Sequence, residues 1–266
     1  MAKNPPDENV VHQGPGSSMD DAFAALGEYL KNRCGDSVVY YMANPGNWGD
    51  GLIRQGTLRF FRDLGLKFTE IMSKEELARL SPTITTLIYG GGGAWCKLWN
   101  HGELWATTFK QRFHVIVLPS TYEMQFAIPN TTFFCRDQYE SQANVPAATF
   151  CHDMAFYLKH SVSPVPAGSG EGYFFRTDAE SGRSRPIPPS NDDISLKGNQ
   201  FSDVAPLVAT VAKFESVHTD RLHVAITGCL LKKKVFLYPN SYFKNKAVYR
   251  SSMQDHFENV EFMGTL

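Results

Sequence analysis

The chain has 266 residues and 29.8 kDa, room for one large domain or two small ones, and 42% hydrophobic with 20% charged residues exclude disorder of the whole. Lys plus Arg number 26 against 27 Asp plus Glu, so the basic excess that a nucleic-acid backbone demands is missing. Cys34, Cys96, Cys135, Cys151 and Cys229 form no CxxC pair, which argues against a disulfide framework and a structural zinc site. No apolar run is long enough to span a bilayer, and the first residues, MAKNPPDENVVHQGPGSSMD, lack the apolar stretch of a signal peptide. The expected compartment is a reducing cytoplasm.

In chain order, residues 1 to about 18 read as a disordered arm and MDDAFAALGEYLKNR (19–33) as an amphipathic helix, acidic in its first turn and basic in its last. SVVYYMA (37–43) has the continuous apolar character of a strand buried on both faces. After the turn NPGNWGDG, Leu52, Leu58, Phe61 and Leu64 share one helical face. LKFTEI is a second strand, Ser73 and Glu76 form a capping box before EELARL, and TITTLIY is a third strand ending in GGGG. A helix over 100–111 precedes the strand HVIVLP (114–119), and TTFFC and ATFC follow as short strands. Such β-α-β repetition implies parallel strands covered by helices.

The composition changes at KHSVSPVPAGSGEG (159–172), which reads as a linker. GYFFRT is the next strand, and 178–200, rich in Ser, Pro and Asp, reads as a mobile surface loop. VAPLVATVAKF, SVHT, DRLHVAITGCLLKK and VFLYP then restore helix–strand alternation. The expected organisation is an arm and helix over 1–36, a Rossmann-like domain over 37–160, a second over 161–266, and a ligand cleft between them.

Ligands of open parallel sheets collect beyond the carboxyl ends of the strands. Asn44–Asp50 sits at such a place, where Asn47 and Asp50 either hold sugar hydroxyls or cap the next helix. Gly90–Gly93 is a longer glycine run than a turn needs, suited to backbone contact with a ligand, and no GK[ST] follows. Trp95 and Trp99 beside it are either a platform for a sugar ring or packing. In SVHTDRLH, Thr219 or Asp220 is the expected N-cap, with Arg221 and His223 in the first turn. Cations there favour a bound anion, and a histidine transfers protons near neutral pH; the competing reading pairs Arg221 with a carboxylate. Lys232–Lys234, His12, His160 and His256 carry no comparable signal, and His218 reads as a packed residue.

NPGNWGDGLI, YGGGG, FFCRD…S (133–141), CHDMAF (151–156), FFRTDAE (174–180), HTDRLH and NSYFKN (240–245) occur together and in this order. From about residue 37 to about 250 the chain thereby resembles the polysaccharide pyruvyl transferases. It departs from their pattern at His152, often Pro, at Pro239, commonly Asp, and at Phe243, usually Gly.

The resemblance implies two Rossmann-like domains in a GT-B-like arrangement, and transfer of the pyruvyl group of phosphoenolpyruvate onto two sugar hydroxyls as a cyclic ketal in exopolysaccharide synthesis. It implies His223, Arg221 and Asp50 as catalytic residues, and Arg136, Arg221, Leu222, Asn240, Ser241 and Lys244 around the donor. Asn44, Asn47, Asp50, Gly91 and Gly92 would hold the acceptor. No metal and no cofactor besides the donor is implied. The implied partners are phosphoenolpyruvate and a saccharide or lipid-linked oligosaccharide, with peripheral contact to the inner membrane face or to other assembly enzymes. Two rival expectations stay open, a GT-B glycosyltransferase using a nucleotide sugar and a non-catalytic sugar-binding subunit.

Overall fold

The computed structural model describes residues 18–35, 37–80, 85–162, 166, 168–182 and 186–266. The expected arm lies outside these up to Ser18, whose side chain caps α1 (Met19–Cys34) in a reciprocal box with Asp21. Next come β1 (Val39–Met42), α2 (Trp48–Leu64), β2 (Thr69–Glu70), α3 (Lys74–Arg79), β3 (Thr85–Tyr89), β4 (Gly92–Trp95), α4 (His101–Phe109) and β5 (Phe113–Tyr122). They are followed by β6 (Thr131–Cys135), α5 (Glu140–Asn144), β7 (Thr149–Phe150) and a 3-10 turn, Met154–His160. The rest comprises β8 (Glu171–Phe174), a 3-10 turn Ile194–Lys197, α6 (Ala205–Ala212), β9 (Ser216–Thr219), α7 (Leu222–Leu230) and β10 (Lys234–Leu237). α8 (Lys244–Val248), a π-helical turn Tyr249–Met253 and β11 (Val260–Phe262) complete the described fold.

These elements form an α/β protein with two parallel sheets. The first has seven strands in the order β2-β1-β3-β5-β6-β7 with β4 also on β5, and the second runs β11-β10-β9-β8. Every residue of β3 is buried, as the unbroken apolar run predicts for a central parallel strand. LKFTEI is only partly a strand, since Thr69–Glu70 alone joins the ladder against Tyr40 and Tyr41.

One apolar cluster runs from Phe23 and Leu30 of α1 through Phe60 and Phe61 of α2 and Phe156 to Leu207, Val217 and Val235 beneath the second sheet. A second, with Leu87, Trp95, Val115 and Tyr122, lies on the other side of the first sheet. The Pro/Gly/Ser segment 159–172 thus joins two sheets that share a core. Polar contacts cross the same seam: Trp48 Nε1 donates to Asp203 O at 2.8 Å, Gly46 N to Gln200 Oε1 at 3.1 Å, and Gln138 N to Ser251 Oγ at 3.0 Å.

The expectation of a mobile loop over 178–200 is corrected for its described part. Asn191 bonds both the N–H and the carbonyl of Phe175, Asp193 accepts from Thr177, and Ile194 and Ser195 are buried. Its acidic residues are anchors, as the site shows.

Candidate functional site

The carboxyl ends of both sets of strands open on one cavity of ≈ 330 Å³. Asn44 follows β1, Gly93 is the second residue of β4, Arg136 follows β6, Arg176 follows β8, and Arg221 and His223 follow β9; all line it with Asn47, Asp50, Asp178, Glu180, Leu222 and Lys244.

The first wall is a hydrogen-bonded relay. Tyr89 Oη donates to Asn44 Oδ1 at 2.7 Å, and Asn44 Nδ2 donates to Asp50 Oδ1 at 2.7 Å. Asn47 is the N-cap of α2, accepting from Gly49 N, while Asp50 Oδ2 accepts from Asn47 N at 3.0 Å. Asp50 is therefore both a cap partner and a cavity carboxylate. Burial pushes its pKa up, against the pull of His223 and the hydrogen bond from Asn44. α2 can approach so closely because position 49 is glycine: a Cβ there would stand 2.4 Å from His223 Nδ1.

On the other side of His223 lies Asp153, fully buried at the start of the Met154–His160 turn. Its Oδ1 caps Ala155 N at 2.8 Å, while Oδ2 lies 2.6 Å from Arg136 Nη1 and 3.4 Å from His223 Nε2. Burial opposes its charge, yet His223 and Arg136 together hold its pKa well below the carboxylate range. Arg136 also donates from Nε to Thr121 Oγ1 at 2.8 Å; its Nη2 has no partner among the described residues and stands 3.7 Å from where a Gly93 Cβ would be. Tyr242 Oη, 3.9 Å from that same point, is buried and likewise unpartnered among the described residues.

The second wall alternates charges. Arg221 binds Asp193 through Nε at 2.8 Å and Nη2 at 2.6 Å, and its Nη1 lies 2.9 Å from Asp178. Arg176 binds Asp178 through Nε at 2.7 Å and Glu180 through Nη1, and Lys244 donates to Glu180. Burial opposes ionisation of Glu180, but Lys244 and Arg176 hold it down to about 2. Lys244 is pushed down to about 8 by burial, with Arg176 and Arg136 adding repulsion that Glu180 only partly offsets.

Several sequence expectations change in detail. Arg221 itself stands at the N-cap of α7, which begins at Leu222; Thr219 Oγ1 accepts from Arg221 N and donates to Phe174 O, and Asp220 Oδ1 accepts from Arg176 N. Neither Thr219 nor Asp220 is the cap, and Arg221 is paired with carboxylates, the competing reading of its role. Asn240 does not line the cavity; its Oδ1 is 3.5 Å from Asn245 N, where α8 begins. Ser241 is exposed and its N–H donates to Glu180 O at 2.9 Å, so both place Lys244 from behind. Gly91 and Gly92 stop short of the lining: a Gly91 Cβ would stand 2.3 Å from Pro119 O, and Gly92 has φ 131°. That run serves the close pass of β4 over β5, and its last member, Gly93, reaches the cavity. Trp95 is core, fully buried among Tyr122, Phe126 and Phe133.

Asp153, Arg176, Asp178 and Glu180 lie in motifs that carry the resemblance but receive no role from them, and Asp193 lies outside those motifs. For all but Asp193 the signal is positional: in TFC-HD and YFF-RTDAE charged groups stand within a few residues of the end of a strand, where a parallel sheet presents them to a ligand. Among the described residues no group of three or more His, Cys, Asp or Glu could hold a metal ion, and no helix is long and apolar enough to cross a membrane.

No family model and no curated protein matches the chain. Among solved structures, it is similar to a functionally uncharacterized protein of Klebsiella pneumoniae subsp. pneumoniae NTUH-K2044. The match has 30% sequence identity and a TM-score of 0.77, and covers 94% of this chain and 100% of that one. The chain belongs to the same family as that protein.

Proposed function

We propose that the two sheets are the cores of two Rossmann-like domains in a GT-B-like arrangement, and that the chain is a ketal pyruvyl transferase of cytoplasmic exopolysaccharide synthesis. The observation that carries this reading is an unspent donor, Arg136 Nη2, beside Gly93 in a cavity also lined by Lys244 and His223. A small dianion with phosphate and carboxylate groups matches donors of this kind. The order of sequence motifs named above supports the same donor.

The chemistry then divides between the walls. A proton reaches the methylene carbon of phosphoenolpyruvate, and a sugar hydroxyl oxygen bonds to C2. The C2–O bond to phosphorus breaks with loss of inorganic phosphate, and a second hydroxyl oxygen bonds to C2. Of the two hydroxyl protons, one is balanced by the new methyl hydrogen and the other leaves on phosphate. His223, between Asp50 and Asp153, is the group that moves these protons, and Asp153 orients its ring. Asn44 and Asp50 hold acceptor hydroxyls.

His223→Asn keeps shape and polarity but cannot titrate near neutral pH. Phosphate release from phosphoenolpyruvate with pyranoside acceptors should fall by about 10²–10⁴-fold, with donor affinity by calorimetry little changed. Near-normal turnover in the variant would remove His223 from proton transfer.

A further inference from the structure

Four tryptophans are present, and Trp99 departs from what burial expects of the residue type. It is 42% exposed at the mouth of the cavity, on the loop between β4 and α4. That exposure is not looseness. Trp99 N donates to Cys96 O at 3.1 Å while Cys96 N donates to Trp99 O at 2.9 Å, closing a tight loop. Its Nε1 donates to Glu180 Oε1 at 3.1 Å, across the seam between the two sheets. No aromatic ring among the described residues packs against it. Leu196, 56% exposed, and His101 also line the cavity.

An indole held at its polar edge, 42% exposed and with no aromatic ring stacked on it among the described residues, is a preorganised stacking surface, since little rotamer freedom remains to lose on binding. The polar groups of the cavity, Asn44, Asn47 and Asp50, suit hydroxyls, whereas Trp99 and Leu196 offer apolar surface. A pyranose has this same division, with hydroxyls at its edge and a C–H face that packs on an aromatic ring. A nucleobase would also stack, and titration with nucleosides beside pyranosides separates the two. We propose that Trp99 is the acceptor platform: a pyranose ring stacks on its indole while two of its hydroxyls reach toward Asp50 and His223. This rests on the pyruvyl-transferase reading and adds to it the residue on which the acceptor ring packs.

The test is intrinsic fluorescence titrated with methyl β-D-galacto-, gluco- and mannopyranoside, beside calorimetric titration of the wild type with phosphoenolpyruvate. At least one pyranoside should change the emission saturably, and Trp99→Phe should abolish that change. In calorimetry Trp99→Leu, which keeps apolar bulk, should weaken that pyranoside by about three- to tenfold, and Trp99→Phe by less. Equal pyranoside affinity in wild type and Trp99→Leu, or a response to adenosine or uridine and to no pyranoside, would overturn the platform. Sugar binding that depends on Trp99 without any phosphoenolpyruvate binding would leave the platform standing and refute the donor. Phosphoenolpyruvate binding without any pyranoside response would do the reverse.

Discussion

Asp153→Asn separates charge from shape at the centre of the site. The amide keeps Oδ1, and with it the cap on Ala155 N at 2.8 Å, but puts an NH₂ where Oδ2 now faces Arg136 Nη1 at 2.6 Å and His223 Nε2 at 3.4 Å. Arg136 is 1% exposed and would keep only Thr121 as an acceptor. Stranding a buried guanidinium costs about 3–5 kcal/mol, which for a domain of this size lowers Tm by roughly 6–20 °C. The pH dependence has a definite sign. With its folded pKa depressed, Asp153 contributes stability above the ordinary carboxylate value, and that stability is lost as pH falls through the folded one. The variant should therefore lose most at neutral pH and approach wild type in acid. Thermal unfolding followed by circular dichroism from neutral to acid pH measures both. Arg136→Met combined with Asp153→Asn should recover part of the loss, since the pair and not the single charge is what burial tolerates. A neutral-pH Tm within about 2 °C of wild type would refute the argument, because on this scale that is at most about 1 kcal/mol.

Two further outcomes follow from the charges. Lys244, pushed down to about 8, loses its charge just above neutrality, so phosphoenolpyruvate affinity measured by calorimetry should drop as pH rises through that value. Lys244→Met should bind weakly with no such drop, and an unchanged profile would exclude Lys244 from the donor's surroundings. His152 is buried with Nδ1 2.8 Å from Ser252 Oγ, and burial, with His256 and Lys159, pushes its pKa down to about 3. The unfolded chain takes up a proton that the folded one refuses, so stability declines as pH falls below 6.5. His152→Phe should flatten that decline in acid titrations of unfolding, at a neutral-pH cost of about 1 kcal/mol for the lost hydrogen bond.

What could be read from the sequence was what periodicity and strand ends determine. Continuous apolar runs locate β1, β3 and β5, and the residues just beyond strand ends include Asn44, Arg136 and Arg221 of the cavity. The relation between distant segments was not legible. Nothing in FFRTDAE says that Asp178 and Glu180 would neutralise Arg221 and Lys244, because those contacts span 43 and 64 positions of chain. The same limit hid the continuity of the core across the linker. Helix starts also shifted, since Asn47 and Asp50 cap α2 jointly, a choice that a list of capping residues leaves open. Trp95 and Trp99 show the limit most simply: four positions apart beside the glycine run, one is core and the other faces the cavity mouth.

The pairing of Arg176, Arg221 and Lys244 with Asp178, Glu180 and Asp193 bears on how such a site can bind an anion at all. Buried cations without counter-charges would repel one another and destabilise the fold, so carboxylates are the means by which the chain keeps them in place. A ligand anion that displaced them would have to strand those acids. The less costly course uses a donor that the protein has left unspent, and among the described residues Arg136 Nη2 beside Gly93 is one. On the proposed reading the salt-bridged wall, three cations against three carboxylates, is a rigid and charge-balanced frame, while Arg136 and the Lys244 ammonium would make the contacts. On this account Arg221 positions the site through Asp178 and Asp193, and Arg136, held by Thr121 and Asp153 with one nitrogen still free, is the arginine a donor anion would meet first.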